Sequence, residues 1–131
     1  MTDRPRPLSP HLQVYRWQIQ MVTSILHRAT GIALAVGTLL VVWGILALAT
    51  SESAFETFKS CIGNPIGVIL LVGWSWSLTF HLCNGIRHLV QDSGAGFQIS
   101  QFVRSSWLAV IGSVVFLVVI WAYVLLVGGA A

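Results

Sequence analysis

The sequence is short of charge. Seven Lys and Arg and four Asp and Glu make up 8% of its 131 residues, while 56% are hydrophobic. A soluble domain carries about 25% charged residues. Eleven charges cannot coat a globule of this size, which excludes a water-soluble monomer. The same apolarity excludes disorder, because such a chain would not stay solvated. The net charge of +3 is not gathered into any basic run or patch, so nucleic acid is excluded as a partner. Cysteine is scarce too. Cys61 and Cys83 match neither a disulfide framework nor a zinc spacing, and they leave the redox compartment open.

The absence of charge is concentrated. No Asp, Glu, Lys or Arg occurs from Ala29 to Ser51, from Ser60 to Ile86, or from Ser105 to Ala131. A membrane span needs about 20 apolar residues at about 1.5 Å rise each. Three runs meet that length, predicting transmembrane helices at roughly 25–50, 64–88 and 105–129. The fold class is therefore an all-α membrane protein, with residues 1–131 forming one membrane domain preceded by an N-terminal segment, 1–24. A cleaved signal peptide does not fit the first run. Ala47-Leu48-Ala49 resembles a cleavage site, but the leader is too long and the apolar stretch exceeds the usual core of about 7–15 residues. The N-terminal segment is no transit peptide either, since Asp3 and three prolines accompany its arginines. Residues 1–16 are either extended or a short interfacial helix with Ser9 as cap and Pro10 in its first turn.

Lys and Arg placement gives an orientation. Arg4, Arg6, Arg16 and Arg28 precede the first span, and Arg87 and Arg104 flank the second connection. The first connection carries Lys59 alone, beside Glu52 and Glu56. The positive-inside rule puts the N-terminus and the second connection in the cytoplasm and the C-terminus outside.

Polar groups within or beside the spans need an explanation, because they are costly in lipid. Ser24 and Arg28 are four apart and share a helix face at the mouth of the first span. They could hold a carbonyl or carboxylate, or Arg28 could simply snorkel to lipid phosphates. His81 lies about 9 Å deeper than Arg87. His81, Gly85 and His88 fall on one helix face, continued by Ser77 and Gly73. Neutral imidazole is a good axial ligand for haem iron, and Gly85 would let a flat macrocycle approach. The same stripe of small residues also suits close helix packing, with His81 hydrogen-bonded to a neighbour. His27-Arg28 and Arg87-His88 form a cationic collar at one membrane level, fit for anionic propionates or merely for fixing topology. Asp92 opposes the helix dipole and is expected to pair with His88 or Arg87. The chain has one deep histidine. Any six-coordinate haem would then take its second ligand from another subunit.

These residues carry a family resemblance. Arg6 to Trp17, Ser24-Ile25-Leu26-His27-Arg28-Ala29-Thr30-Gly31, and the pattern His-x-x-x-Gly-Ile-Arg-His-Leu-x-x-Asp from His81 to Asp92 resemble, in order, three signatures of the large cytochrome b anchor subunit of succinate dehydrogenase, respiratory complex II. The similarity is close from residue 4 to about 92. Beyond that only hydrophobicity matches. The style is that of alphaproteobacterial and mitochondrial members. The resemblance implies a helical bundle completed by a small second anchor subunit. It implies one haem b, with His81 as one axial iron ligand and the small anchor giving the other. His27, Arg28, Gly85 and His88 would lie around the cofactor, and Ser24 and Arg28 would line a ubiquinone site. It further implies docking of the iron–sulfur and flavoprotein subunits, a bacterial inner membrane, and an enzyme in which this subunit is not catalytic alone. The rivals are a fumarate reductase-type anchor using menaquinone, a haem-free structural anchor, and a membrane adaptor with no redox partner.

Overall fold

A computed structural model describes residues 11 and 14–128. Ser9 and Pro10, where a short N-terminal helix would start, lie outside them. Among the described residues there are four helices and no strand: α1 (Ile19–Thr50), α2 (Glu52–Gly63), α3 (Pro65–Asp92) and α4 (Ile99–Gly128). α1, α3 and α4 are each long and apolar enough to cross a membrane. At 32 residues, α1 is about 48 Å long and overruns the hydrocarbon core of about 30 Å. It begins at Ile19, so Ser24, His27 and Arg28 are all within regular helix.

α2 is the element the sequence reading did not separate from the connection. Its charges hid a short amphipathic helix. Phe55, Phe58 and Ile62 lie half-buried on one side, while Glu52, Glu56 and Lys59 are exposed on the other. Lys59 Nζ pairs with Glu56 at 2.6 Å. Phe58 packs edge-on against Trp43, and a side chain at Gly44 would collide with the Phe58 ring, 2.7 Å from its Cζ. One residue suffices to join α1 to α2 and α2 to α3. Ser51 is extended, closes α1, and caps α2 by accepting from the Ala54 N–H at 3.1 Å. Asn64 closes α2 and caps α3, its Oδ1 accepting from the Ile66 and Gly67 N–H groups at 3.0 Å each, with Pro65 in the first turn. Gly67 is required because a Cβ would meet the Ile62 carbonyl.

α3 is central and packs against both α1 and α4. Toward α4, the buried small residues Ser106, Ala109 and Ser113 let the helices approach, as membrane helices do where no hydrophobic drive exists between them. The buried hydroxyls are satisfied within their own helices. Thr23, Thr30, Ser77, Thr79, Ser106 and Ser113 all donate to carbonyls three or four residues back. After α3 the chain turns through Gly94 (φ +88°) and Gly96 (φ +80°), conformations a side chain would strain. These contacts bring one end of α1 and one end of α3 together around three imidazoles.

Candidate functional site: a histidine cluster between α1 and α3

The cluster is built from two helix faces. α1 contributes His27, Thr30 and Gly31, and α3 contributes His81, Asn84, Gly85 and His88. The rings of His27 and His81 stack at 3.9 Å with 12° between planes, and His88 lies 5.2 Å from His27, tilted by 59°. The three histidines of the spans are therefore one group.

His81 is held by α1. Its Nδ1 lies 3.2 Å from the His27 carbonyl oxygen and 3.3 Å from Thr30 Oγ1. A carbonyl can only accept, so Nδ1 carries the proton of this pair. The Thr30 hydroxyl donates to the Leu26 carbonyl at 2.8 Å and so meets His81 with a lone pair. Both partners of Nδ1 sit on α1, one turn apart. The ring comes this close because residue 31 is glycine: a Cβ there would be 3.2 Å from His81 Cε1. With Nδ1–H committed, Nε2 is the bare nitrogen, and it has no protein partner among the described residues. A second-site hydrogen bond that fixes the tautomer and leaves the other nitrogen for metal is the usual arrangement of a histidine ligand. His81 thus fits an axial ligand of iron. The His27 ring stacks on that of His81 at 3.9 Å, which leaves no room for a macrocycle between the two. Among the described residues no group of three His, Cys, Asp or Glu converges on a metal position.

Other predicted residues fall into place unevenly. Ser24 is half-buried and Arg28 exposed, one turn apart on α1. Among the described residues neither contacts another side chain through a hydrogen bond or ion pair. Gly85 lies against His27, whose Cε1 would be 3.9 Å from a Cβ at this position. The space it opens is over His27, whereas Gly31 serves His81. Arg87 leaves the expected collar. It turns to the α4 side, buried to 8% exposure, where Nε donates to Ser105 Oγ at 3.0 Å and the guanidinium lies 4.5 Å over the Phe102 ring. The expected pairing of Asp92 does not form. Asp92 is exposed, and Arg87 finds a hydroxyl, a carboxamide and an aromatic face instead, which spares it a desolvated carboxylate. Three residues of the cluster are not singled out by the sequence alone. Thr30 and Gly31 sit within a quoted motif and could have been placed by counting one turn from His27. Asn84 is a carboxamide inside a span, a polar signal of the same kind as the histidines.

The sequence matches the family described as succinate dehydrogenase/fumarate reductase transmembrane subunit over residues 2–120. It is 46% identical over 110 residues to the succinate dehydrogenase cytochrome b556 subunit of Paracoccus denitrificans, covering 84% of this chain and 85% of that one. To the cytochrome b556 subunit of Rickettsia conorii it is 40% identical over 116 residues, covering 88% and 90%. To the mitochondrial cytochrome b560 subunit of Sus scrofa it is 44% identical over 104 residues, covering 76% of this chain and 60% of the relative.

Proposed function

The chain belongs to the succinate dehydrogenase/fumarate reductase transmembrane subunit family, and on that premise we propose that it is the haem b-binding anchor of a succinate:ubiquinone oxidoreductase. The observation that carries this reading is His81, whose Nδ1 proton is committed to the His27 carbonyl and Thr30 while Nε2 stays bare. Haem b, when bound, supplies a one-electron couple, and the protein tunes it through ligation, burial and charge. His81 would hold its iron from this chain, and a small second anchor subunit would supply the other iron ligand. His27, Arg28, Gly85 and His88 would lie around the cofactor, with Arg28 supplying charge for its carboxylates.

Ubiquinone is the substrate of the same end of the molecule. Ser24 donates its hydroxyl hydrogen to a quinone carbonyl oxygen. Arg28, free of any intramolecular ion pair among the described residues, offsets the negative charge that develops as the ring is reduced. Fixed donors in a low-dielectric site are effective at this. Overall, two electrons and two protons convert the quinone to the quinol, the electrons arriving from the iron–sulfur subunit and the flavoprotein behind it. The anchor is a single domain that completes a helical bundle with its small companion. It lies in a bacterial inner membrane with the N-terminus cytoplasmic and the C-terminus periplasmic. It performs no dehydrogenation alone.

The test is the reduced-minus-oxidised absorption spectrum of the purified complex, native and with His81→Tyr. The native complex should show b-type bands, and the variant should lose them or turn high-spin. An unchanged low-spin spectrum in the variant removes His81 as ligand. A native complex with no b-type band establishes the haem-free anchor instead, and preference for menaquinol over ubiquinone chemistry establishes the fumarate reductase type.

A further inference from the structure

Arg87 was expected beside the histidines and is found on the other flank of α3. It nevertheless reaches them through Asn84. Asn84 is fully buried, with 0% exposure. Arg87 Nη1 lies 3.4 Å from Asn84 Oδ1, and Asn84 Nδ2 lies 3.1 Å from His88 Nε2. The direction of this chain is set by charge. A guanidinium has donors only, so the carboxamide must turn its oxygen toward Arg87. Its NH2 group is then forced toward His88 and can only donate. His88 Nε2 must accept, and an imidazole nitrogen that accepts carries no proton.

No neighbouring group among the described residues competes with this ordering. Asp92, one turn beyond His88, is exposed and makes no ion pair with it among the described residues. His27, which faces His88 from α1 with ring centroids 5.2 Å apart, makes no hydrogen bond to it, and its buried Nδ1 has no partner among the described residues. Arg87 is itself fixed, by Ser105 at 3.0 Å and by the Phe102 ring, both on α4. The order therefore runs from α4, through α3, to the α1–α3 cluster.

We infer that Asn84, oriented by Arg87, is a positioning residue that keeps the proton of His88 on Nδ1, so that His88 offers the site a hydrogen-bond donor through Nδ1. Its use there rests on the function proposed above: His88 contributes an N–H beside the cofactor carboxylates, and Arg28 contributes the charge. The tautomer itself does not depend on that reading. It also separates the two half-buried histidines of α3 by role, since Nε2 of His81 has no partner among the described residues while His88 has its Nε2 already occupied.

The experiment is solid-state NMR of the whole complex in lipid bilayers with 15N- and 13C-labelled histidine, His88 being assigned by difference from a His88→Phe sample. In the native complex at neutral pH, His88 should show a protonated Nδ1 and a bare Nε2. In Asn84→Asp the proton should move to Nε2, because a carboxylate only accepts. Arg87→Gln, which removes the charge that orients the carboxamide, should give a mixture of tautomers. A native His88 found protonated at Nε2, alone or at both nitrogens, overturns the inference whether or not any variant assembles. So does an Asn84→Asp complex with the native pattern. The b-type bands of the same native sample report separately on the haem reading, so failure of one is distinguishable from failure of the other.

Discussion

Replacing Gly31 with alanine adds a methyl group 3.2 Å from His81 Cε1 and 3.7 Å from Nδ1. Carbon atoms prefer a separation of about 3.5–4.0 Å. The imidazole must therefore retreat by about 0.3–0.8 Å from α1. Its two hydrogen bonds also end on α1, at 3.2 Å to the His27 carbonyl and 3.3 Å to Thr30 Oγ1, so the retreat lengthens both. Near about 3.6 Å neither counts as a hydrogen bond. The single Nδ1–H proton is shared between these two acceptors, so together they are worth about 0.5–1.5 kcal/mol of orienting free energy, a factor of about 2–13 in the population of the ligating arrangement. The helix itself does not suffer, because alanine in a helix interior is favoured over glycine by about 1 kcal/mol. The expected phenotype is thus an assembled complex that sheds haem. The assay is the haem-to-flavin ratio of the purified complex through a detergent titration, with Gly63→Ala as control, since a Cβ at Gly63 meets nothing within 4 Å. Full retention of haem and an unchanged low-spin spectrum in Gly31→Ala would refute the reasoning. So would equal loss in the control.

Ser24→Ala and Arg28→Leu should each lower ubiquinone reduction by about tenfold or more, the cost of losing a donor to a charged or charging group. Succinate oxidation by an artificial phenazine acceptor should stay near native in both, and a parallel fall in both activities would instead mean failed assembly. Gly37→Ala places a methyl inside the van der Waals envelope of the Trp74 indole and should destabilise by about 1–3 kcal/mol. A lower thermal inactivation midpoint, partly restored by adding Trp74→Leu, is the outcome that supports this packing.

Much of this was legible before any coordinates. Three charge-free runs gave three long helices, because a bilayer leaves the backbone no alternative that satisfies its polar groups. His81 stands out as an imidazole at span depth, and the structure ties its Nδ1 to α1 at the His27 carbonyl and Thr30. What could not be read was lateral. Arg87 follows His81 by six residues, and the angle this subtends on a helix says only that the two flanks differ. That α4 would present Ser105 and Phe102 to catch the guanidinium depends on how α4 packs, which no periodicity in a uniformly apolar segment encodes. The surroundings of Gly85 are lateral in the same sense. Spacing along α3 places it one turn from His81, but its nearest neighbour comes from α1. α2 was missed because a charged connection and a short amphipathic helix have the same composition, and the ordering of Phe55, Phe58 and Ile62 becomes decisive only against Trp43 and Gly44.

The single-residue joints at Ser51 and Asn64 have a mechanical meaning. With no slack on either side, α2 acts as a rigid brace across the far ends of α1 and α3 and sets how widely those two helices splay. His27 and His81 ride on the opposite ends of the same pair, so the brace governs from a distance whether their rings stay face to face. A lengthened joint, for instance a short glycine insertion after Ser51, would let the helices scissor and uncouple the imidazoles without touching a single residue near them.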